Sequence, residues 1–140
     1  MIGQTISHYR IIEKLGEGGM GVVFKARDEK LDRMVALKFL PPEATRDAEA
    51  RQRFLHEARA AAGLDHPNIC TVHEIGETGD GRVFLAMACY AGETLREKVA
   101  RGPLPLPEAI GLTLQAGEGL SKAHGQGIVH RDVKPANLFV

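Results

Sequence analysis

Residues 16–24 read Gly16-Glu17-Gly18-Gly19-Met20-Gly21-Val22-Val23-Phe24, and the three residues after the last glycine decide the fold. A dinucleotide-binding fingerprint needs a helix directly after that glycine, so that pyrophosphate meets the helix N-terminus. A β-branched and aromatic run stands here instead and predicts a strand. A Walker loop is excluded as well, because the chain has no Gly-Lys-Ser/Thr. Two readings of the glycines stay open: a plain Gly-rich turn, or a hairpin whose side-chain-free backbone folds over a triphosphate and offers N–H donors to it.

Working outward, Tyr9–Leu15, Val22–Ala26 and Met34–Phe39 have strand character, separated by Gly-rich and Asp/Lys-rich turns. After Pro41-Pro42 the pattern turns helical, with Asp47 as N-cap and Ala50, Phe54, Ala61 and Leu64 on one stripe, until His66-Pro67-Asn68 ends it. Two more strands, Ile69–Gly76 and Val83–Ala88, join through Gly79-Asp80-Gly81, and Asp-Gly is a strong hairpin signal. The first half is thus expected to be a five-stranded antiparallel sheet with one inserted helix. From Gly92 on the chain is helical. Thr94 and Glu97 form a possible capping box, and Pro107 opens a longer helix with Ile110, Leu114, Leu120 and Ala123 on one face, stopped by Gly125 and Gly127. Gly111, Gly117 and Gly119 each weaken that helix by roughly 1 kcal/mol, so it needs tertiary support.

The 140 residues carry 18 Lys+Arg against 18 Asp+Glu, a formal net charge of zero, which leaves no electrostatic footprint for nucleic acid or an anionic membrane. With 44% hydrophobic and 26% charged residues the composition is that of a globular domain. No apolar run is long enough to span a bilayer, and Met1–Arg10 lacks the order of a signal peptide, so a cytoplasmic location is expected. Cys70 and Cys89 form no metal or disulfide pattern and are expected to be two buried thiols. His56, His66 and His73 match no metal-ligand spacing.

Three groups of residues could carry chemistry. Lys38 closes the apolar strand Val35-Ala36-Leu37-Lys38, either as a snorkelling edge lysine or as a phosphate ligand. Glu57 falls on the apolar stripe of the inserted helix. If buried there it needs a cation, for which Lys38 is the natural candidate; otherwise it is a solvated acid near Arg53 and Arg59. The most specific signal is His130-Arg131-Asp132-Val133-Lys134-Pro135-Ala136-Asn137, whose six fixed residues arise at this spacing by chance with a probability on the order of 10⁻⁶. Chemically, Asp132 can accept a hydroxyl proton, Lys134 can neutralise a transferring phosphoryl group, and Asn137 can hold a metal ion.

With Leu15-Gly16-Glu17-Gly18-Gly19-Met20-Gly21, His66-Pro67-Asn68-Ile69 and the His130–Asn137 segment together, the chain from about Tyr9 to Val140 resembles the eukaryotic-type (Hanks-type) protein kinases, most of all the bacterial serine/threonine kinases. The resemblance implies an α+β protein-kinase-like fold. Residues 1–8 would be an N-terminal extension, 9–87 the N-lobe, 88–91 a hinge and 92–140 the first part of the C-lobe. It implies ATP and Mg2+ as cofactors and a protein with a Ser/Thr hydroxyl as partner, with no nucleic acid and no membrane contact by this segment. Leu15, Gly16, Glu17, Gly18, Gly19, Met20 and Gly21 would cover the phosphates. Val23 and Ala36 would touch adenine, and Lys38, paired to Glu57, would bind the α/β-phosphates. Met87 would be the gatekeeper, and the Ala88 carbonyl and Tyr90 N–H would read the adenine edge. Asp132 matches the catalytic base, Asn137 the magnesium ligand, and Lys134 the serine/threonine class.

The chain departs from the family after Leu138-Phe139-Val140, where the Asp-Phe-Gly metal ligand, activation loop and Ala-Pro-Glu segment would come next. The expectation is therefore a kinase fragment inactive alone, with a natural non-catalytic nucleotide-binding or interaction stub as the alternative. An exposed apolar patch around Leu112, Leu114, Leu120 and Phe139 is expected with it.

Overall fold

The computed structural model describes residues 1–18 and 21–140; Gly19 and Met20, both expected in the phosphate-covering loop, lie outside the described residues. The chain forms two compact units, one of Met1–Gly63 with Cys70–Cys89, the other of Leu64–Ile69 with Tyr90–Val140.

The first unit is an antiparallel sheet of β1 (Thr5–Ile6), β2 (Tyr9–Gly18), β3 (Gly21–Asp28), β4 (Arg33–Phe39), β5 (Val72–Glu77) and β6 (Val83–Ala88). The strand order is β1-β2-β3-β4-β6-β5. Five of these are the expected strands. The sixth, β1, is a two-residue edge strand set by Ser7 at φ 55, which turns Thr5 and Ile6 back onto Arg10 and Tyr9. Residues 1–8 thus contribute to the sheet, and Met1 and Ile6 pack on its core.

Strand alternation divides the sheet into two faces. Phe24, Ala26, Val35, Leu37, Phe39, Phe84 and Ala86 point to one side and, with Tyr9 and Ile11, make the hydrophobic core. Edge-on ring contacts of Tyr9 with Phe84 and of Phe24 with Phe39 tie it together. Gly76 leaves the space that the Phe84 ring occupies, since a Cβ there would lie 2.2 Å from Cζ. The Tyr9 hydroxyl donates to the Glu74 carboxylate although β2 and β5 are far apart in strand order, so the sheet curls.

Between β4 and β5 run α1 (Pro42–Arg46) and α2 (Ala48–Ala62). The expected helix is α2, capped as expected by Asp47, whose carboxylate accepts from the Glu49 N–H; the short α1 before it is additional. The β5–β6 hairpin turns through Thr78–Gly81, with the Thr78 hydroxyl accepting from the Arg82 N–H and Gly81 at φ +85.

In the second unit, α3 (Leu95–Ala100) starts with the expected Thr94/Glu97 capping box. The longer helix α4 (Leu106–Gly125) has Pro107 in its first turn, and Gly127 comes after it at φ +75. The tertiary support it needs is visible at Gly119, where a Cβ would stand 2.9 Å from the Asn68 carbonyl oxygen. A 3₁₀ turn at Pro135–Asn137 leads into a short ribbon in which residues 138–140 pair with residues 93–95. Leu114 and Phe139 are exposed as expected; Leu112 and Leu120 are half-buried, and the exposed stripe runs instead through Leu106, Ile110 and Leu114, four residues apart on α4. No helix among the described residues is long and apolar enough to cross a membrane.

Candidate functional site

The sheet face opposite the aromatic core carries the residues singled out in the first unit. Register sets Val23 beside Lys38, Lys25 beside Ala36, and Ala36 beside Met87. Because positions two apart share a face, Val23, Ala36, Lys38 and Met87 lie together on it. Ala36 is buried, whereas Val23, Lys38 and Met87 are half-buried.

Above this surface β2 and β3 continue as a ladder to the pair Gly18↔Gly21. The glycines differ in kind. Gly21 adopts φ +109, and a Cβ there would lie 1.9 Å from the Phe39 carbonyl oxygen, so the fold itself requires glycine. Gly16 and Gly18 have nothing within 4 Å of a Cβ and no positive φ. Close approach by a bound group would explain them; packing within the chain does not. Leu15 and Glu17 are exposed, and the Glu17 carboxylate accepts from the Lys14 ammonium.

Of the two readings of Glu57, the solvated one holds. Glu57 is exposed, Ala58 is the buried residue of α2, and among the described residues no ion pair joins Glu57 to Lys38. Periodicity marked the apolar stripe correctly at Ala50, Phe54 and Ala61, each half-buried. The arc is narrow, however, and Glu57 falls on its solvent side. Lys38 is left half-buried with no carboxylate within 4 Å among the described residues, an ammonium able to meet an anion from outside the chain.

At the end of β6, the Ala88 N–H donates to the Thr71 carbonyl (2.9 Å), while the Ala88 carbonyl lies 3.8 Å from the Cys70 Sγ. Cys70 is exposed and Cys89 half-buried, which corrects the expected pair of buried thiols: both sit where the β5–β6 ladder opens at its end. In the second unit Tyr90 is exposed, its ring 6.3 Å from that of Phe139.

The second unit also brings Asp132, Lys134 and Asn137 together. The Lys134 ammonium lies 3.2 Å from Asp132 Oδ2. Asn137 Nδ2 donates to the Asp132 backbone carbonyl (2.9 Å) and to its Oδ2 (3.2 Å). The Asp132 N–H in turn donates to His130 Nδ1 (3.1 Å). Backbone geometry makes the turn: Arg131 takes φ 68, and the 3₁₀ turn opened by Pro135 swings Asn137 back towards Asp132. The bond from Lys134, then its charge, the bond from Asn137 and the field of His130 hold the Asp132 carboxyl below the usual carboxylate range, so it is ionised at neutral pH. With the amide nitrogen committed to Asp132, the Asn137 amide oxygen is left as an acceptor. No cluster of three His, Cys, Asp or Glu able to hold a metal occurs among the described residues.

Sequence reasoning missed a polar cluster around Tyr9 at the far end of the sheet. Buried Asp28 accepts from the Lys30 and Leu31 N–H groups, with His8 Nε2 and Arg33 Nε each 3.7 Å from its carboxylate. Burial acts to raise its carboxyl, but these donors and cations prevail and lower it. The Asp-Glu-Lys turn composition was the only signal in the sequence.

The family described as "Protein kinase domain" matches residues 9–140. Serine/threonine-protein kinase pkn3 of Myxococcus xanthus is 42% identical over 141 positions, covering 99% of this chain and 26% of the relative. PknA of Mycobacterium tuberculosis is 43% identical over 145 positions, with 99% and 34% coverage. Among solved structures, the Mycobacterium tuberculosis PknI kinase domain aligns with a TM-score of 0.86 at 34% identity, covering 99% of this chain and 57% of that one. The chain thus spans about a quarter to a third of the length of these curated relatives.

Proposed function

Since the chain belongs to the protein kinase family, we propose that it is part of an ATP-dependent serine/threonine protein kinase, with residues 9–87 holding the nucleotide, 88–91 acting as hinge and 92–140 carrying the catalytic loop. The Asp132–Lys134–Asn137 cluster carries this reading, because phosphoryl transfer asks a protein mainly for positioning and charge stabilisation. Asp132, ionised beside Lys134, orients the substrate hydroxyl and accepts its proton. Lys134 balances the charge that builds on the transferred group. The serine/threonine assignment is supported by the relatives and by lysine at this position.

Val23, Ala36 and Met87 offer an apolar bed for adenine, the Ala88 carbonyl accepts from its amino group, and the Tyr90 N–H serves as a donor to the ring. Lys38 binds the α/β-phosphates and the backbone of Leu15–Gly18 and Gly21 covers them. Rotation of α2 would bring Glu57 to Lys38 once nucleotide is bound. Mg2+ fits the site in one respect: Asn137 presents a free amide oxygen, and the ion supplies charge neutralisation on the phosphates when bound. One neutral oxygen is a weak magnesium site, so the 140 residues alone are expected to bind nucleotide weakly and to transfer no phosphate. With ATP as donor, the activity is cytoplasmic.

The test is titration of the 140-residue chain with a fluorescent ATP analogue. Saturable binding that Lys38→Met weakens supports this reading; binding indifferent to Lys38→Met overturns it.

A further inference from the structure

We propose that Cys70 and Cys89 are a peroxide-sensitive dithiol whose disulfide lowers nucleotide affinity. The pairing of β5 with β6 is antiparallel with Val72 opposite Met87, and the 2.9 Å bond from the Ala88 N–H to the Thr71 carbonyl carries it one step further. The ladder ends at Val72↔Met87, and continuing its register past that end would set Cys70 opposite Cys89. Residues directly opposite in an antiparallel pair stand with Cα atoms about 4.5–5.5 Å apart and side chains on the same face, inside the roughly 4.4–6.8 Å window that a disulfide spans. Side-chain placement agrees: Cys70 Sγ lies 3.8 Å from the Ala88 carbonyl oxygen, on the peptide group that leads directly into Cys89. Cys70 is exposed and Cys89 half-buried, just past the end of the ladder.

The oxidant is hydrogen peroxide. One thiolate attacks a peroxide oxygen, breaking the O–O bond to give a sulfenic acid, with the departing hydroxide protonated to water. The second thiol then attacks the sulfenic sulfur, the S–S bond forms, and a second water leaves. Two thiols are oxidised by two electrons and one peroxide is reduced to two waters. A small dithiol reverses the step by exchange.

The consequence for nucleotide rests on the proposed role of the Ala88 carbonyl. Closing the bridge draws the Ala88–Cys89 peptide towards Cys70 and turns that carbonyl from the direction in which it accepts. Affinity is then expected to fall about tenfold, the equivalent of one good hydrogen bond.

The full chain is treated with hydrogen peroxide, digested without reduction and mapped by mass spectrometry, alongside Cys70→Ser and Cys89→Ser. A Cys70–Cys89 linked peptide, reversed by dithiothreitol, is expected. Its absence, with both thiols still open to alkylation or oxidised only to separate acids, overturns the proposal. Titration of the oxidised chain with the fluorescent ATP analogue should show the tenfold loss, restored by dithiothreitol and absent in either serine variant. A linked chain that binds as tightly as the reduced one overturns the gating role. A reduced chain that binds no nucleotide refutes the kinase reading instead, and the peptide map still decides the disulfide.

Discussion

Replacing Gly21 and Gly18 separately by alanine separates what the glycine hairpin does for the fold from what it does for a ligand. At Gly21, φ +109 places an L-residue in a strained region that costs on the order of 1–3 kcal/mol. The new Cβ would also stand 1.9 Å from the Phe39 carbonyl oxygen, 3.1 Å from its carbon and 3.3 Å from Pro41 Cδ, so the end of the β3–β4 ladder at Val22↔Phe39 must open. Losing that contact adds about 1 kcal/mol, for a total of roughly 2–4 kcal/mol. Gly18 has no neighbour within 4 Å and no positive φ, and Gly18→Ala should change stability by less than about 0.5 kcal/mol. Urea unfolding followed by circular dichroism measures both, and the fluorescent ATP analogue reports binding. Gly18→Ala should keep the fold and weaken nucleotide binding. Equal stability losses at the two glycines, or a neutral Gly21→Ala, would refute the reasoning.

Lys134→Met should raise the Asp132 carboxyl towards the ordinary carboxylate range, since the bond and charge from Lys134 are the largest influences holding it down; a carboxyl carbon NMR titration measures this, and an unmoved titration counts against the pairing. Asp28 has a lowered carboxyl in the folded chain, so its stabilising contribution is present above the unfolded value near ~3.9 and is lost as pH falls through the lower folded value. Asp28→Asn should therefore flatten the acid limb of stability against pH in urea titrations, and an unchanged limb would argue otherwise. The stripe of Leu106, Ile110 and Leu114, 71%, 50% and 63% exposed, should bind an apolar dye, and Leu114→Gln should reduce that binding without lowering the unfolding midpoint; a large loss of stability would mean the face is packed.

Much of the fold was legible because local chemistry and tertiary placement agree. Val22-Val23-Phe24 after the glycines indicated a strand, and that strand pairs with β2 up to Gly18↔Gly21. Asp80-Gly81 marked a hairpin, and Thr94 with Glu97 a helix start, each from a bond made within a few residues. The failures came where the answer depends on distant neighbours. Periodicity placed an apolar stripe on α2 but not its width, so it could not decide between a buried and a solvated Glu57. Thiol burial could not be read for Cys70 and Cys89, which lie just past the end of the β5–β6 ladder. The Tyr9–Glu74 bond depends on sheet curling that no local pattern encodes. At the candidate site, Asp132, Lys134 and Asn137 were singled out within one short segment, and Pro135 with the 3₁₀ turn brings Asn137 back to Asp132.

The most direct test of the central claim is transfer of labelled γ-phosphate from ATP to a basic protein substrate by the complete product of the reading frame that contains this chain, with and without Asp132→Asn. Label on serine and threonine that falls by about two or more orders of magnitude in the variant is predicted, the scale of a lost general base. Nucleotide binding without transfer by the complete product, or transfer that survives Asp132→Asn undiminished, would contradict it.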